Sequence, residues 1–477
     1  MMSMNEWIQK FPLVQLNETA QLVWDSRQEW KEGDSLFLRK FLSSEMKEKL
    51  SEEAHKKNME VVSEEKLFSD YFKKAFQIDQ KKIKIIGITG TNGKSSSLAM
   101  LRHLLSKQGK SVVELGTLGM TAWNKDGSQD FHFETGFTTP DTPMLYSVLN
   151  QAIKNNYDFL ILEVTSHSLQ LGRVEGIEFD AALFTNLSHD HLDFHKSFED
   201  YQSVKYSLFL EHLPKQKEKK NPHSFINTEN EYGRELTQKL DQKQISHSEI
   251  FSRNKELVEL KNVPKGLSFQ YADGSGCIPI HGEYQWDNFF LVASLLKNLL
   301  EIPFEKLLQD IQSLEALPGR MQKIVLKKEE VLLNFYIDYA HTPDSLEKAL
   351  LSLKKLSTES KTKLFVVFGC GGGRDSLKRP MMGKIAQSIA DTVILTTDNP
   401  RAENPQEIIE AIHNGTTKNE NIYCEIDRSL ALKKAYSLMK NGDHCLVSGK
   451  GHEKFQHFKD KKISFSDLEE LQSLAEL

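Results

Sequence analysis

Two short stretches hold residue types that could do chemistry. In "GITGTNGKSSS", from Gly87 to Ser97, a glycine turn separates a β-branched run from a helical pattern. The backbone N–H groups of Gly90, Thr91, Asn92 and Gly93 could cradle phosphate oxygens where a helix begins, because the helix dipole favours negative charge there. Lys94 would reach the β- and γ-phosphates of a nucleotide, Ser95 would offer its hydroxyl to Mg²⁺, and Ser96 extends the same turn. The spacing departs from G-x-x-x-x-G-K-[ST] at one place, where Ile88 stands at the first glycine position. Such a loop allows a kinase, an ATPase, a GTPase or a ligase.

The second stretch is "NLSHDHLDFH", from Asn186 to His195, with His189, His191, His195, Asp190 and Asp193. Imidazole and carboxylate bind zinc or iron in hydrolases. The dinuclear hydrolase pattern H-x-H-x-D-H, however, would need histidine at Phe194, and it comes one residue late at His195. One residue matters, because neighbouring side chains point in different directions. Magnesium is the alternative: it prefers carboxylate and water oxygen, and one histidine can complete its shell. Glu163 closes the strand-like "FLILEV", and the histidine stretch closes the next strand-like run, "AALFTN".

The elements that must position these residues read as α/β. "IKIIGIT", "FLILEVT" and "AALFTN" are apolar throughout, as parallel strands covered on both faces must be. Between them Ser95 to Gln108 is helical, with Leu98, Leu101, Leu104 and Leu105 on one face and Gly109 as a stop. "LEALPGRM" (Leu314 to Met321) reads as a hinge, and beyond it "LLNFYIDYA", "KLFVVFGC", "DTVILTTDNP" and "HCLVSGKG" restart the alternation around a helix from Ser345 to Leu356. The expected boundaries are 1–79, 80–318 and 319–477. In open α/β sheets ligands gather at the carboxyl ends of strands, where these turns fall. The lysine-rich "PKQKEKKN" (Pro214 to Asn221) reads as a solvated loop.

Bulk properties narrow the setting. At 477 residues the chain exceeds one compact core. A net charge of −6 argues against a nucleic-acid partner. The start, "MMSMNEWIQKF", lacks a signal-peptide layout, and "FFLVASLLKNLL" is too short to span a bilayer, so no membrane association is expected. Cys277, Cys370, Cys424 and Cys445 are scattered without CxxC spacing, as free thiols in a cytoplasmic protein would be.

Taken in order, "GITGTNGKSS", "EVTSHSLQLGRVEG", "FTNLSHDHLDFHKSFEDYQSVKYSLF", "LPGRM", "IDYAHTPDSL", "FGCGGGRDSLKRPMMGKIA", "TTDNPRAENP" and "VSGKGHEKFQ" resemble the Mur ligases, over residues 83 to 470. The resemblance implies three α/β domains: an N-terminal UDP-substrate domain, a central P-loop ATPase-like domain on a parallel sheet, and a C-terminal Rossmann-like domain for the incoming amino acid. It implies an ATP-dependent ligase of cytoplasmic peptidoglycan precursor synthesis, acting as a monomer, which extends UDP-N-acetylmuramoyl-L-Ala-D-Glu through an acyl phosphate. Lys94, Glu163, His191 and Lys205 become catalytic, with Ser95, Glu163, His191 and Lys205 holding Mg²⁺. Lys205, in "YQSVKYSLF", matches a lysine that the family carbamylates; taken alone it reads as an ordinary helix-surface lysine.

For ATP the matching positions are Gly90 to Ser96, Asn288, Arg320 and Asp338; for the UDP-dipeptide they are Ser26, Thr138, Thr139, Thr165 and Arg173. For the amino acid they are Arg374, Asp398, Asn399, Pro400, Arg401, Gly449 and Glu453. "DNPR" (Asp398 to Arg401) resembles the meso-diaminopimelate enzymes, whose arginine meets the substrate's distal carboxylate. L-Lysine lacks that carboxylate and is the alternative substrate. A folylpolyglutamate synthetase is the more remote alternative, sharing the phosphate loop and His191.

Overall fold

The computed structural model describes residues 22–23, 35–38, 44–63, 78–216, 219, 221–272, 274–315, 317–417 and 420–474. Ser26 lies outside them. The described chain packs as two compact units: one holds the chain up to Gly90, Ser97–Asn186 and Gln202–Ile250, the other Thr91–Ser96, Leu187–Tyr201 and the chain from Phe251 onward.

In the first unit β1 (Leu22–Val23), β2 (Ser35–Leu38) and β3 (Glu60–Ser63) form a small parallel sheet with α1 (Ser44–Lys56) between its last two strands. The main sheet has eight strands. Chain order gives β4 (Lys84–Thr89), α2 (Lys94–Lys107), β5 (Val112–Gly116), β6 (Gly119–Trp123), β7 (Gln129–Phe133), α3 (Thr142–Lys154), β8 (Phe159–Glu163), α4 (Ser166–Gln170) and β9 (Ala181–Phe184). Then follow α5 (Phe198–Ser207), β10 (His223–Asn227), α6 (Glu231–Gln242) and β11 (His247–Ile250).

The spatial order is β11-β10-β9-β4-β8-β5-β6-β7. β4, β8 and β9 are buried along almost their whole length, as their unbroken apolar runs require when both faces are covered. Register pairs Ile88 with Glu163 and Thr89 with Phe184, so the chain leaves β4, β8 and β9 at one carboxyl edge. The fold adds to the expected parallel sheet an antiparallel extension, β5-β6-β7. The lysine-rich segment is not wholly solvated: Lys219 is buried, its ammonium bonded to Asp180 and to the Ile83 carbonyl.

The second unit opens with an antiparallel meander, β12 (Leu257–Val263), β13 (Gly266–Tyr271) and β14 (Gly274–Ile278), followed by α7 (Tyr284–Leu300) and α8 (Phe304–Asp310). Its main sheet is built from β15 (Gln322–Lys328), β16 (Val331–Asp338), α9 (Pro343–Ser360), β17 (Leu364–Phe368), α10 (Lys378–Ile389), β18 (Thr392–Leu395), α11 (Pro405–His413), β19 (Ile422–Cys424), α12 (Arg428–Leu438) and β20 (His444–Ser448). A hairpin, β21 (Phe455–His457) and β22 (Lys462–Ser464), and α13 (Asp467–Leu474) close it.

The strand order is β15-β16-β20-β17-β18-β19, parallel except for the β15-β16 pair. Alternation along β17 sends Val366 and Phe368 to Leu346, Leu350 and Leu353, and Phe365 and Val367 to Ala431, Leu432 and Leu471. That is a doubly wound layer. α9 begins at a capping box in which Thr342 and Ser345 satisfy each other's backbone N–H.

Behind this sheet Arg428 and Asp467 form a fully buried fork, Nε to Oδ1 at 2.7 Å and Nη2 to Oδ2 at 2.9 Å, with Nη2 also donating to the Ser448 carbonyl at 3.0 Å. Arg428→Met is expected to destabilise the unit by about 3–5 kcal/mol in chemical denaturation, because Asp467 would stay buried without its partner. A loss below about 1 kcal/mol would mean that the fork carries no such weight.

Among the described residues no helix is long and apolar enough to cross a membrane, and the four cysteines are free.

Candidate active site

In the first unit Glu163 closes β8 and is 1% exposed. Thr117, just past β5, donates to both of its carboxylate oxygens, from N–H at 3.0 Å and from Oγ1 at 3.1 Å. Thr139 Oγ1 donates to the Glu163 carbonyl at 2.8 Å and lies 3.1 Å from Thr165 Oγ1. Arg173 Nη1 donates to the Thr139 carbonyl at 2.9 Å and its guanidinium lies over the Phe137 ring. Thr138 stands 3.4 Å from Thr117. The hydroxyls and guanidinium expected for the UDP-dipeptide are therefore one cluster beside Glu163.

Lys205 corrects the expectation of a surface lysine. It is 2% exposed, and its Nζ donates to the Gly90 carbonyl at 2.9 Å. A cationic side chain this deeply buried requires polar partners, since desolvation penalises the charged form.

In the second unit the phosphate loop and the histidine loop are tied together: Ser188 N–H donates to Thr91 Oγ1 at 3.0 Å, and Thr91 Oγ1 lies 2.9 Å from the Tyr201 hydroxyl. Lys94 Nζ donates to the Thr91 carbonyl at 2.8 Å, and Asn92 Nδ2 to Asp344 at 2.9 Å. Arg320 Nη2 donates to Ser95 Oγ at 2.9 Å, and its guanidinium lies over the Tyr339 ring. Gly93 sits at φ +86°, and a Cβ there would stand 2.5 Å from Asn288 Oδ1, so any side chain would close the approach between loop and asparagine. Asp338 accepts from the Met321 and Ala340 N–H groups, both at 2.7 Å; burial pushes its carboxyl up, against Arg320. Gly93, Ser95, Asn288 and Arg320, all expected for ATP, thus meet.

The three histidines diverge. His189 Nε2 lies 2.7 Å from Asp375, whereas His195 is buried against the Phe194 and Tyr201 rings. His191 has a left-handed backbone, φ +57°, and its Nε2 lies 3.3 Å from Asp190 Oδ2. Asp190 is buried, which by itself would raise its pKa; His191 and Lys378 outweigh this and hold the carboxyl well below the usual range. A dinuclear centre needs convergent imidazoles, whereas His189 turns to Asp375, His191 to Asp190, and His195 is buried against aromatic rings. By donor chemistry a hydroxyl, a carboxylate and a single imidazole suit Mg²⁺ better than zinc.

At the carboxyl ends of β18 and β20, Asn399 Nδ2 donates to Glu453 Oε2 at 2.7 Å, and Lys450 Nζ donates to the same oxygen at 3.0 Å. Burial opposes ionisation of Glu453, but Lys450 and Asn399 outweigh it and hold the pKa low. Asp398 is pushed up by burial, against Lys450 and Arg428. Gly449, at φ +110°, lets the backbone pass Asp398, since a Cβ would stand 2.3 Å from Oδ2. Pro400 leads into Arg401, which is left-handed at φ +52°, donates N–H to the His457 carbonyl at 2.8 Å and donates Nη1 to the Gly372 carbonyl at 2.7 Å. Arg374 Nη1 lies 3.7 Å from Asp193 Oδ2.

Residues not singled out in the sequence are ones that hold others: Thr117, Asp375, Lys378 and Lys450; Asp190 is named within the histidine stretch but without a role. Thr117 left a signal, a hydroxyl directly after a strand in a glycine-flanked turn, and Lys450 stands three residues before Glu453.

Residues 88–296 match the Mur ligase middle domain model, and residues 319–451 match that of the Mur ligase, glutamate ligase domain. A relative from Clostridium perfringens, named UDP-N-acetylmuramoyl-L-alanyl-D-glutamate--2,6-diaminopimelate ligase, is 36% identical over 403 residues, covering 83% of this chain and 79% of the relative. The chain belongs to the Mur ligase family. As a Mur ligase it has the expected α/β architecture, with parallel-sheet domains. A solved structure of a ligase of the same name aligns with TM-score 0.62 and 26% identity, over 95% of this chain and 94% of that one. Folylpolyglutamate synthase from Mycobacterium tuberculosis, solved with ADP and AMPPCP, aligns with TM-score 0.59 over 79% of this chain and 91% of that one; at 15% identity it shares the fold alone.

Proposed function

We propose that this Mur ligase adds meso-diaminopimelate to UDP-N-acetylmuramoyl-L-Ala-D-Glu, with ATP converted to ADP and phosphate. The D-Glu terminal carboxylate takes the γ-phosphoryl group, the amine of the incoming amino acid attacks that acyl phosphate, and phosphate leaves from the tetrahedral intermediate. Several negative charges gather in these steps, so catalysis rests on positioning and on cations. Lys94 neutralises the phosphoryl group in transfer, the loop from Gly90 to Ser96 donates N–H groups to the phosphates, and Asn288, Arg320 and Asp338 hold the rest of ATP. Thr138, Thr139, Thr165 and Arg173 hold the dipeptide. Ser95, Glu163, His191 and Lys205 as its carbamate are the residues that would hold Mg²⁺. When bound, Mg²⁺ offsets charge on the β- and γ-phosphates.

The observation that carries the choice of amino acid is the pairing of opposite charges around one loop. Asn399 and Lys450 fix Glu453 as an anion able to take an ammonium. Arg401 is held by its N–H to the His457 carbonyl and by Nη1 to the carbonyl of Gly372, one of the glycines that precede Arg374. Two ammonium groups and two carboxylates are what meso-diaminopimelate brings, and lysine would leave Arg401 without a carboxylate to pair with. Turnover of meso-diaminopimelate and L-lysine decides it, and a preference for lysine refutes the assignment. Arg401→Ala is expected to raise the KM for meso-diaminopimelate by about a hundredfold, as truncating a charged contact costs, and to shrink its advantage over lysine.

A further inference from the structure

The family resemblance gives His191 a ligand role and leaves His189 none, yet His189 makes a closer contact. Its Nε2 lies 2.7 Å from Oδ2 of Asp375. The Asp375 side chain is 3% exposed, and its Oδ1 accepts the Leu377 N–H at 2.9 Å, just before α10 begins. Asp375 directly follows Arg374, whose Nη1 lies 3.7 Å from Asp193 Oδ2. Two consecutive residues, Arg374 and Asp375, therefore both pair back to one loop, at positions on either side of His191.

The two contacts are unequal. The Arg374 side chain is half exposed, so its pair with Asp193 is screened and weak. Asp375 is a buried carboxylate, and losing a donor there leaves a charge partly unpaired. Arg374 also follows three glycines, Gly371 to Gly373, with Gly373 at φ +58°. That run is tied on its own side, with the Gly372 N–H donating to the Asn399 carbonyl at 2.9 Å and the Gly372 carbonyl accepting from Arg401 at 2.7 Å. On the other side of Arg374 the anchor is Asp375.

We propose that His189 and Asp375 are a positioning pair. Their hydrogen bond fixes the backbone at Arg374, so that its guanidinium can meet a carboxylate of the incoming amino acid. Through it the loop bearing His191 and the amino-acid site become one assembly. Asp193 holds Arg374 loosely, and a substrate carboxylate can replace it while Asp375 stays bonded. The proposal rests on the reading of Arg374 as an amino-acid contact.

The test uses the full chain in steady-state kinetics with ATP, Mg²⁺, the UDP-dipeptide and meso-diaminopimelate. His189→Ala is expected to raise the KM for meso-diaminopimelate about tenfold, the scale of one charge-assisted hydrogen bond, with the KM for ATP and for the UDP-dipeptide within about twofold. His189→Gln, which keeps an N–H donor near the position of Nε2, should restore the KM to within about threefold of the wild type. In an Asp375→Asn background, His189→Ala should add less than about twofold, as expected for two members of one contact. Arg374→Ala separates the two levels. If it leaves the KM for meso-diaminopimelate unchanged, the amino-acid assignment of Arg374 fails and takes the pair with it. If it raises that KM while His189→Ala does not, or while His189→Ala shifts the KM for ATP equally, the positioning pair is overturned and the assignment stands.

Discussion

Lys205→Ala is expected to lower ligase activity by at least about a hundredfold, in the range found when a metal ligand or its support is removed, and short carboxylates such as acetate are expected to restore part of it. Nζ of Lys205 is buried and donates to the carbonyl of Gly90, where the phosphate loop starts. An ammonium beside Mg²⁺ would repel it. If the neutral amine instead adds CO₂ and loses a proton, the new N–C bond turns a cation into a carboxylate-like anion. That group supplies hard oxygen donors, and the alanine variant leaves a space that a small carboxylate can enter. The measurement is turnover of the variant with and without acetate. Full activity without it contradicts the carbamate role.

The second large effect is expected at Lys94. Lys94→Met should lower kcat by roughly 10³-fold, the loss of a preorganised cationic donor aimed at charge that develops in the transition state. Nucleotide affinity should fall far less, because the N–H groups from Gly90 to Ser96 remain. The bond from Nζ to the Thr91 carbonyl, 2.8 Å, holds the ammonium against the phosphate loop. Equal losses in ADP affinity and kcat would instead make Lys94 a binding residue without a share in the transfer.

The sequence was most legible where burial acts on both faces of an element. β4, β8 and β9 and the strands β17, β18 and β20 are continuous apolar runs, and each appears where that pattern places it. β15 was not legible. It is an edge strand with lysines near both ends and Val325 half exposed, and it pairs antiparallel in front of the first strand that the apolar pattern reveals. The meander β12-β14 is hidden for the same reason, since it mixes polar and apolar residues over short lengths.

At the candidate site, the phosphate loop follows from local rules, because strand, glycine turn and helix are contiguous. The burial of Lys205 does not, since its helix carries little amphipathic pattern and the carbonyl it meets is 115 residues away. The same distance problem hides Asp375 behind His189, 186 residues away; Lys450 stands only three residues before Glu453, and what hides it is that its ammonium turns inward to Glu453 and the Phe455 carbonyl.

The central claim is tested most directly by phosphate release from ATP with the UDP-dipeptide, with and without each amino acid, followed by the mass of the UDP-linked product. The account predicts phosphate release that requires the UDP-dipeptide and meso-diaminopimelate together, with one UDP-tripeptide formed per phosphate. Phosphate released at the same rate without the UDP-dipeptide, or release with no tripeptide formed, would contradict it.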